Sequence, residues 1–141
     1  MTSFLLIFLL GVSTASVLEY GAPNNLDSYD SQADMIAEYF LLDFVNDMAI
    51  GRATRISRHF SEGFVFRGCD LDYDMKNTVA LLIKKRTRIS FEFKSAKFIN
   101  LNDVQFTVGI SGLGSPMEAE FVLREIQRTR MLVQGRIRQC A

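Results

Sequence analysis

Two features of the sequence have the residue types that proton-transfer chemistry needs. His59 is the single histidine of the chain, and an imidazole can take up and return a proton near neutral pH. Asp43 and Asp47 stand four residues apart, the spacing that brings two carboxylates onto one face of a helix, with Tyr39 one turn earlier. Such groups act as general acid or base only where they are desolvated at a defined point. The same residues also have ordinary roles, as a partly exposed helix histidine and as the wet side of an amphipathic helix. His59 and Asp43 are therefore the candidates for an isomerase- or dehydratase-like activity. Cys69 and Cys140 do not form a C-x-x-C pair, and with one histidine the chain has too few ligands for a zinc site, so no metal or cofactor is expected.

The elements that would position these residues fall into two halves. From Arg88 to Cys140 four runs alternate apolar and polar residues, for example Ile89, Phe91 and Phe93 against Ser90, Glu92 and Lys94. A period of two describes strands with one dry and one wet face, and the short breaks between runs suit antiparallel neighbours. The dry face comprises Ile89, Phe91, Phe93, Val104, Phe106, Val108, Ile110, Met117, Ala119, Phe121, Leu123, Met131, Val133, Gly135 and Ile137, with no carboxylate among them. On the wet face Glu118, Glu120, Arg124, Gln134, Arg136 and Arg138 can form cross-strand pairs, and Val122 and Leu132 add apolar spots. The alternation slips at Ser95-Ala96, which points to a bulge and a bent strand.

Upstream, Asp30 or Ser31 is the expected cap of a long helix whose Ile36, Phe40, Phe44 and Met48, with Ala33, Ala37 and Val45, form an apolar stripe ending at Gly51. A second helix is expected from about Arg52 to Phe60, then a short strand, Phe64-Val65-Phe66. A third helix follows, capped by Asp72 or Asp74, with Met75, Val79, Leu82 and Ile83 inward. The basic run Lys84 to Arg88 then falls at a helix end, where cations meet the negative pole of the dipole. Helices first and strands last give an α+β fold, three N-terminal helices packed on a curved, mostly antiparallel sheet.

Residues 1–15 read as a signal peptide: an apolar run, Phe4 to Leu10, precedes the small residues Ser13 to Ser16. The run falls short of the roughly 20 residues of a membrane span, so cleavage is favoured over an uncleaved anchor. Residues 16–30 read as a flexible lead-in and 31–141 as one domain. The mature protein is expected to be secreted, with no membrane association after cleavage. Sixteen acids balance sixteen bases, which removes the electrostatic case for nucleic acid. Two cysteines suit an oxidising compartment; if paired, they close a loop for which chain entropy gives roughly 4 kcal/mol.

The passage Ala49-Ile50 through Ile56-Ser57-Arg58-His59-Phe60-Ser61-Glu62-Gly63-Phe64-Val65-Phe66, with this order of elements, resembles the nuclear transport factor 2-like superfamily, the cone-shaped, ketosteroid isomerase-like α+β proteins. With Gly68-Cys69 answered by Cys140, the chain is similar to small secreted members with a single disulfide, so the resemblance implies a Cys69–Cys140 bridge. Enzymes of the superfamily place an Asp, Glu or His inside the cone, whereas other members bind apolar ligands or proteins, or dimerise through the sheet. A dry face without titratable groups favours a non-enzymatic domain that binds a protein partner or a small apolar ligand. The lining would come from Phe40, Phe44, Phe91, Phe93, Phe106, Val108, Phe121 and Met131, and a homodimer through the wet sheet face is a further expectation. Gln105-Phe106-Thr107-Val108-Gly109 also approaches the Gln-x-Val-x-Gly signature of the cystatin protease inhibitors, which requires an exposed loop.

Overall fold

A computed structural model describes the backbone of residues 25–140 and the side chains of residues 30–140. The expected signal segment and most of the expected lead-in lie outside the described residues. Helix α1 spans Asn25–Ile50 and begins before the expected cap at Asp30 or Ser31. Ala33, Ala37, Phe40, Phe44 and Met48 form its buried stripe, whereas Val45, one residue round from Phe44, is 40 % exposed. Gly51 ends the helix at φ +77°, its N–H bonded to the Asp47 carbonyl at 3.1 Å. Arg86 Nη1 donates to the Ala49 carbonyl at 3.3 Å, a cation at the negative pole of α1.

Helix α2, Ala53–Ser57, is shorter than its pattern suggests. The sheet takes over at Phe60 because Phe60 pairs with Leu132, and the Leu132 N–H bonds the His59 carbonyl at 2.8 Å. Strand β1 runs Phe60–Arg67, and β2, Asp72–Asp74, pairs with its far end where only a polar lead-in was expected. Asp74 then caps α3, Met75–Lys85, accepting the Asn77 N–H at 2.8 Å. Val79 and Leu82 point inward, and Lys84 and Lys85 occupy the last turn of α3.

The remaining strands are β3 Ser90–Phe98, β4 Asp103–Ser111, β5 Met117–Ile126 and β6 Thr129–Ile137. The sheet order is β2-β1-β6-β5-β4-β3, antiparallel throughout except for β1 beside β6. The fold is therefore α+β, with helices on one face of a curved, open, mostly antiparallel sheet. Two irregularities set its shape. In β3, Phe93 pairs with Val108 and Ser95 with Thr107, so Lys94 is an extra residue and the strand bends. Asp34 of α1 accepts the Ala96 N–H at 3.0 Å just beyond that bulge, tying helix to edge strand.

The second irregularity corrects the dry face. Val122 pairs with Gln134 and Leu123 with Leu132, so Val133 is the extra residue in β6. Alternation resumes in the opposite phase, which buries Leu132 and turns Met131 and Val133 away from the core. Gly135 stays inside, where a Cβ would lie 2.6 Å from Phe121 Cδ1 and 2.8 Å from Phe66 Cδ2. The two rings occupy the space that any larger residue would need.

Cys69 and Cys140 form a disulfide, their Cα atoms 5.4 Å apart. This is possible because the chain leaves β6 after Ile137 and turns toward the β1–β2 connection. Replacing both cysteines by serine is expected to lower stability by about 2–5 kcal/mol, read from urea unfolding; an unchanged midpoint contradicts a clamping role. The β5–β6 hairpin turns on Gln127 at φ 51° and Arg128 at φ 67°, left-handed conformations that Asn and Gly adopt more easily. Gln127→Asn with Arg128→Gly is expected to raise stability by about 1 kcal/mol, and a fall would contradict this turn.

Candidate functional site

The helices and sheet form a partly open pocket of about 80 Å³. Phe40, Leu41 and Phe44 of α1 form one wall, and Thr78, Leu81 and Leu82 of α3 another. The sheet contributes Phe60, Phe66, Tyr73, Phe91, Phe106, Val108, Ile110, Phe121 and Leu132, and the connections add Ile89 and Leu113. Aromatic rings hold the walls at fixed spacings: Phe44 meets Phe91 edge-on at 5.8 Å, Phe40 meets Phe106 at 6.2 Å, and Phe106 stacks on Phe121 at 5.6 Å. Such pairs prefer centroid separations of roughly 4.5–7 Å, so they resist both collapse and spreading. The polar groups among the lining residues are the hydroxyls of Tyr73 and Thr78.

Of the expected lining residues, Phe93 and Met131 do not face the pocket. Phe93 packs into the core on β3, the strand that α1 lies across, and Met131 is outside because of the Val133 bulge. Leu132, expected on the wet face, stands in the pocket wall for the same reason. Leu81, Tyr73 and Thr78 carried no sequence signal for this position. Leu82 and Ile110 did, through their helical and strand spacing.

Neither His59 nor Asp43 lines the pocket. His59 sits at the junction of α2 and β1 and is buried, its ring edge-on to Phe40 at 5.4 Å and to Phe44 at 5.5 Å, behind the pocket wall. Its Nε2 is 2.7 Å from Asp47 Oδ2, where an ionised carboxylate can only accept. Asp47 is buried rather than on a wet helix face, and its Oδ1 meets Arg55 Nε at 3.2 Å. The His59 hydrogen bond holds the Asp47 carboxyl below the usual carboxylate range; burial opposes this, and Arg55 and Arg58 add positive charge. Asp43 is exposed, with its carboxylate within 4.8 Å of the Asp47 and His59 ligand atoms. These three could approach a metal ion, but Asp47 already spends its oxygens on His59 and Arg55. The arrangement is a buried tether joining α1 to the start of β1.

On the sheet's outer face, Arg136 and Arg138 meet Glu120 at 3.0 and 3.2 Å, and Arg138 meets Glu118 at 3.1 Å. Arg124 grips Asp103 through two bonds of 2.9 Å. That hydrogen bonding holds the Asp103 carboxyl low against the effect of burial, helped by the Asn100 amide and the Arg124 charge. Gln105 to Gly109 lies wholly within β4 with Phe106 and Val108 buried, so it forms no exposed loop.

A family description, "NTF2-like domain", matches residues 34–141. The chain belongs to the NTF2-like family. None of the curated proteins matches its sequence. Among solved structures, an NTF-2-like protein of unknown function from Silicibacter pomeroyi is 14% identical with a TM-score of 0.63, covering 76% of this chain and 97% of that one. A domain of unknown function with a cystatin-like fold from Nostoc punctiforme is 12% identical with a TM-score of 0.58, covering 85% of this chain and 81% of that one. A de novo designed protein with a curved β-sheet is 10% identical with a TM-score of 0.56, covering 72% and 97%. At these identities the likeness concerns the NTF2-like fold alone.

Asp47 and Asp103 both have carboxyl pKa values depressed by folding. Their stabilisation is complete above the unfolded value of about 4 and is lost as pH falls through the lower folded values. Asp47→Asn and Asp103→Asn are each expected to flatten the fall of the urea midpoint on acidification. A curve parallel to wild type contradicts the assignment.

Proposed function

We propose that this NTF2-like domain is a secreted, non-catalytic binding domain that takes a small apolar molecule into the cone between helices and sheet. The observation that carries the reading is the composition of the pocket wall. Aromatic and aliphatic side chains surround an open volume, and the lining residues offer two hydroxyls but no carboxylate, amine or imidazole. An acid–base reaction needs a titratable group at the reacting atom, and His59 is spent on Asp47 behind the wall. Secretion is supported by the apolar run and small residues near the N-terminus and by the disulfide, which suits an oxidising compartment.

The volume limits the ligand. About 80 Å³ lies well below the roughly 300 Å³ at which drug-sized pockets begin. Sterols and retinoids therefore exceed the pocket as it stands, and benzene-sized or smaller groups are the appropriate class. Titration of the isotopically labelled domain with a graded set of apolar compounds, followed by NMR, tests this. Small members are expected to shift signals of Val108, Ile110, Leu113 and Leu132, and Val108→Phe is expected to abolish the shifts while retaining the fold by circular dichroism. Shifts confined to the outer sheet face, or none for any compound, overturn the reading.

A second reading concerns the outer face, where Val65, Val122, Val133 and Ile99 line a groove among the charge pairs. These apolar side chains support a homodimer through the sheet. Sedimentation equilibrium is expected to give twice the chain mass at tens of micromolar, and a single-chain mass contradicts it.

A further inference from the structure

Helix α1 has a second apolar face, turned away from the sheet. Met35, Tyr39, Leu42, Asn46 and Ala49 follow one another at spacings of four and three residues, and all are exposed. That alternation is the heptad spacing of a coiled-coil seam, with Met35, Leu42 and Ala49 at d and Tyr39 and Asn46 at a. Val45 and Ile50, also exposed, widen the stripe on its two sides. The inner stripe through Phe40 and Phe44 already covers the sheet, so the packing of the domain itself does not account for the outer one. Exposed apolar side chains gathered on one helix face, unlike scattered single ones, mark a place where another molecule sits.

Charge then selects the occupant. Helix α1 carries six acids and no Lys or Arg, and no base precedes Arg52 anywhere in the chain. Glu38 and Asp43 flank the seam at g and e, and neither forms an ion pair among the described residues. Burial and the nearby Asp34 carboxylate hold the Glu38 carboxyl above its usual range, a conflict that a cation alongside would relieve. A second copy of α1 is a poor occupant. At a parallel seam Glu38 would face Asp43 of the other copy, and at an antiparallel seam each acid would face its own equivalent. We propose that the outer face of α1 docks an amphipathic helix of a protein partner, with apolar residues at its a and d positions and Lys or Arg at e and g. One polar residue of that helix, opposite Asn46, would fix the register. The pocket lies on the other side of α1, so this interaction does not depend on the ligand-binding reading.

The probe is a synthetic helix of about three heptads, with Leu at a and d apart from one Asn, and Lys at e and g. Its controls are the same design with Glu at e and g, and the Lys peptide in scrambled order. Dissociation constants come from NMR titration of the labelled protein. The Lys peptide is expected to bind and to shift signals of Met35, Leu42 and Val45, and each control to bind about tenfold more weakly. Leu42→Gln, which leaves the charge unchanged, is expected to weaken the Lys peptide about tenfold. Glu38→Lys with Asp43→Lys is expected to reverse the preference between the Lys and Glu peptides. These side chains are exposed, so the variants are expected to keep the wild-type circular dichroism. Failure of the Lys peptide to bind, equal binding of the scrambled peptide, or a preference that the charge reversal does not move overturns the proposal. So does a dimer in sedimentation that Leu42→Gln dissociates, because the face would then belong to a second copy.

Discussion

The spacing between α1 and the sheet is the constraint on which the other features depend. Phe40 and Phe44 extend from the helix and meet Phe91 and Phe106 from the strands at 5.8–6.2 Å between ring centroids. Rings are large, rigid struts, and their contacts, edge-on for Phe44 with Phe91 and tilted for Phe40 with Phe106, fix distance and angle together. A helix bearing leucine or alanine at those two positions could settle closer to the strands and fill the space. With four rings in place, the sheet's curvature leaves an apolar pocket between the helices and the strands.

Three tethers then hold the roof at that height. The buried His59–Asp47 pair joins α1 to the entry of β1, Asp34 ties α1 to the bent edge strand, and Arg86 closes the end of α1 from α3. At the opposite end of the sheet, the Cys69–Cys140 bridge fastens the last strand to the β1–β2 connection. The titratable groups that would be natural catalysts are thus part of the frame. Their geometry explains why a histidine and two aspartates cluster in a domain whose pocket wall carries none of them.

Much of this architecture was legible in the chain. Period-two runs placed β3 to β6, and the four-residue spacing of Phe40, Phe44 and Met48 defined the buried stripe of α1. Parity, however, is a local signal, and an extra residue resets it without altering composition. The bulge at Val133 exchanged Leu132 for Met131 in the interior, and nothing in Arg130 to Gln134 announces it. The His59–Asp47 pair was hidden for a different reason: its partners come from separate elements, and no spacing rule links a helix residue to one twelve positions on across a turn. The end of α2 was misplaced because a long-range pairing of Phe60 with Leu132 overrode its helical pattern.

The account stands on the pocket being empty, dry and apolar in the folded domain. Xenon is the most direct probe, because it enters dry apolar cavities and contributes strong scattering without any chemistry of its own. A crystal of the domain pressurised with xenon is expected to show one peak bounded by Phe44, Phe106, Val108 and Leu132. A pocket filled by its own side chains, or occupied by ordered water that xenon does not displace, would contradict it.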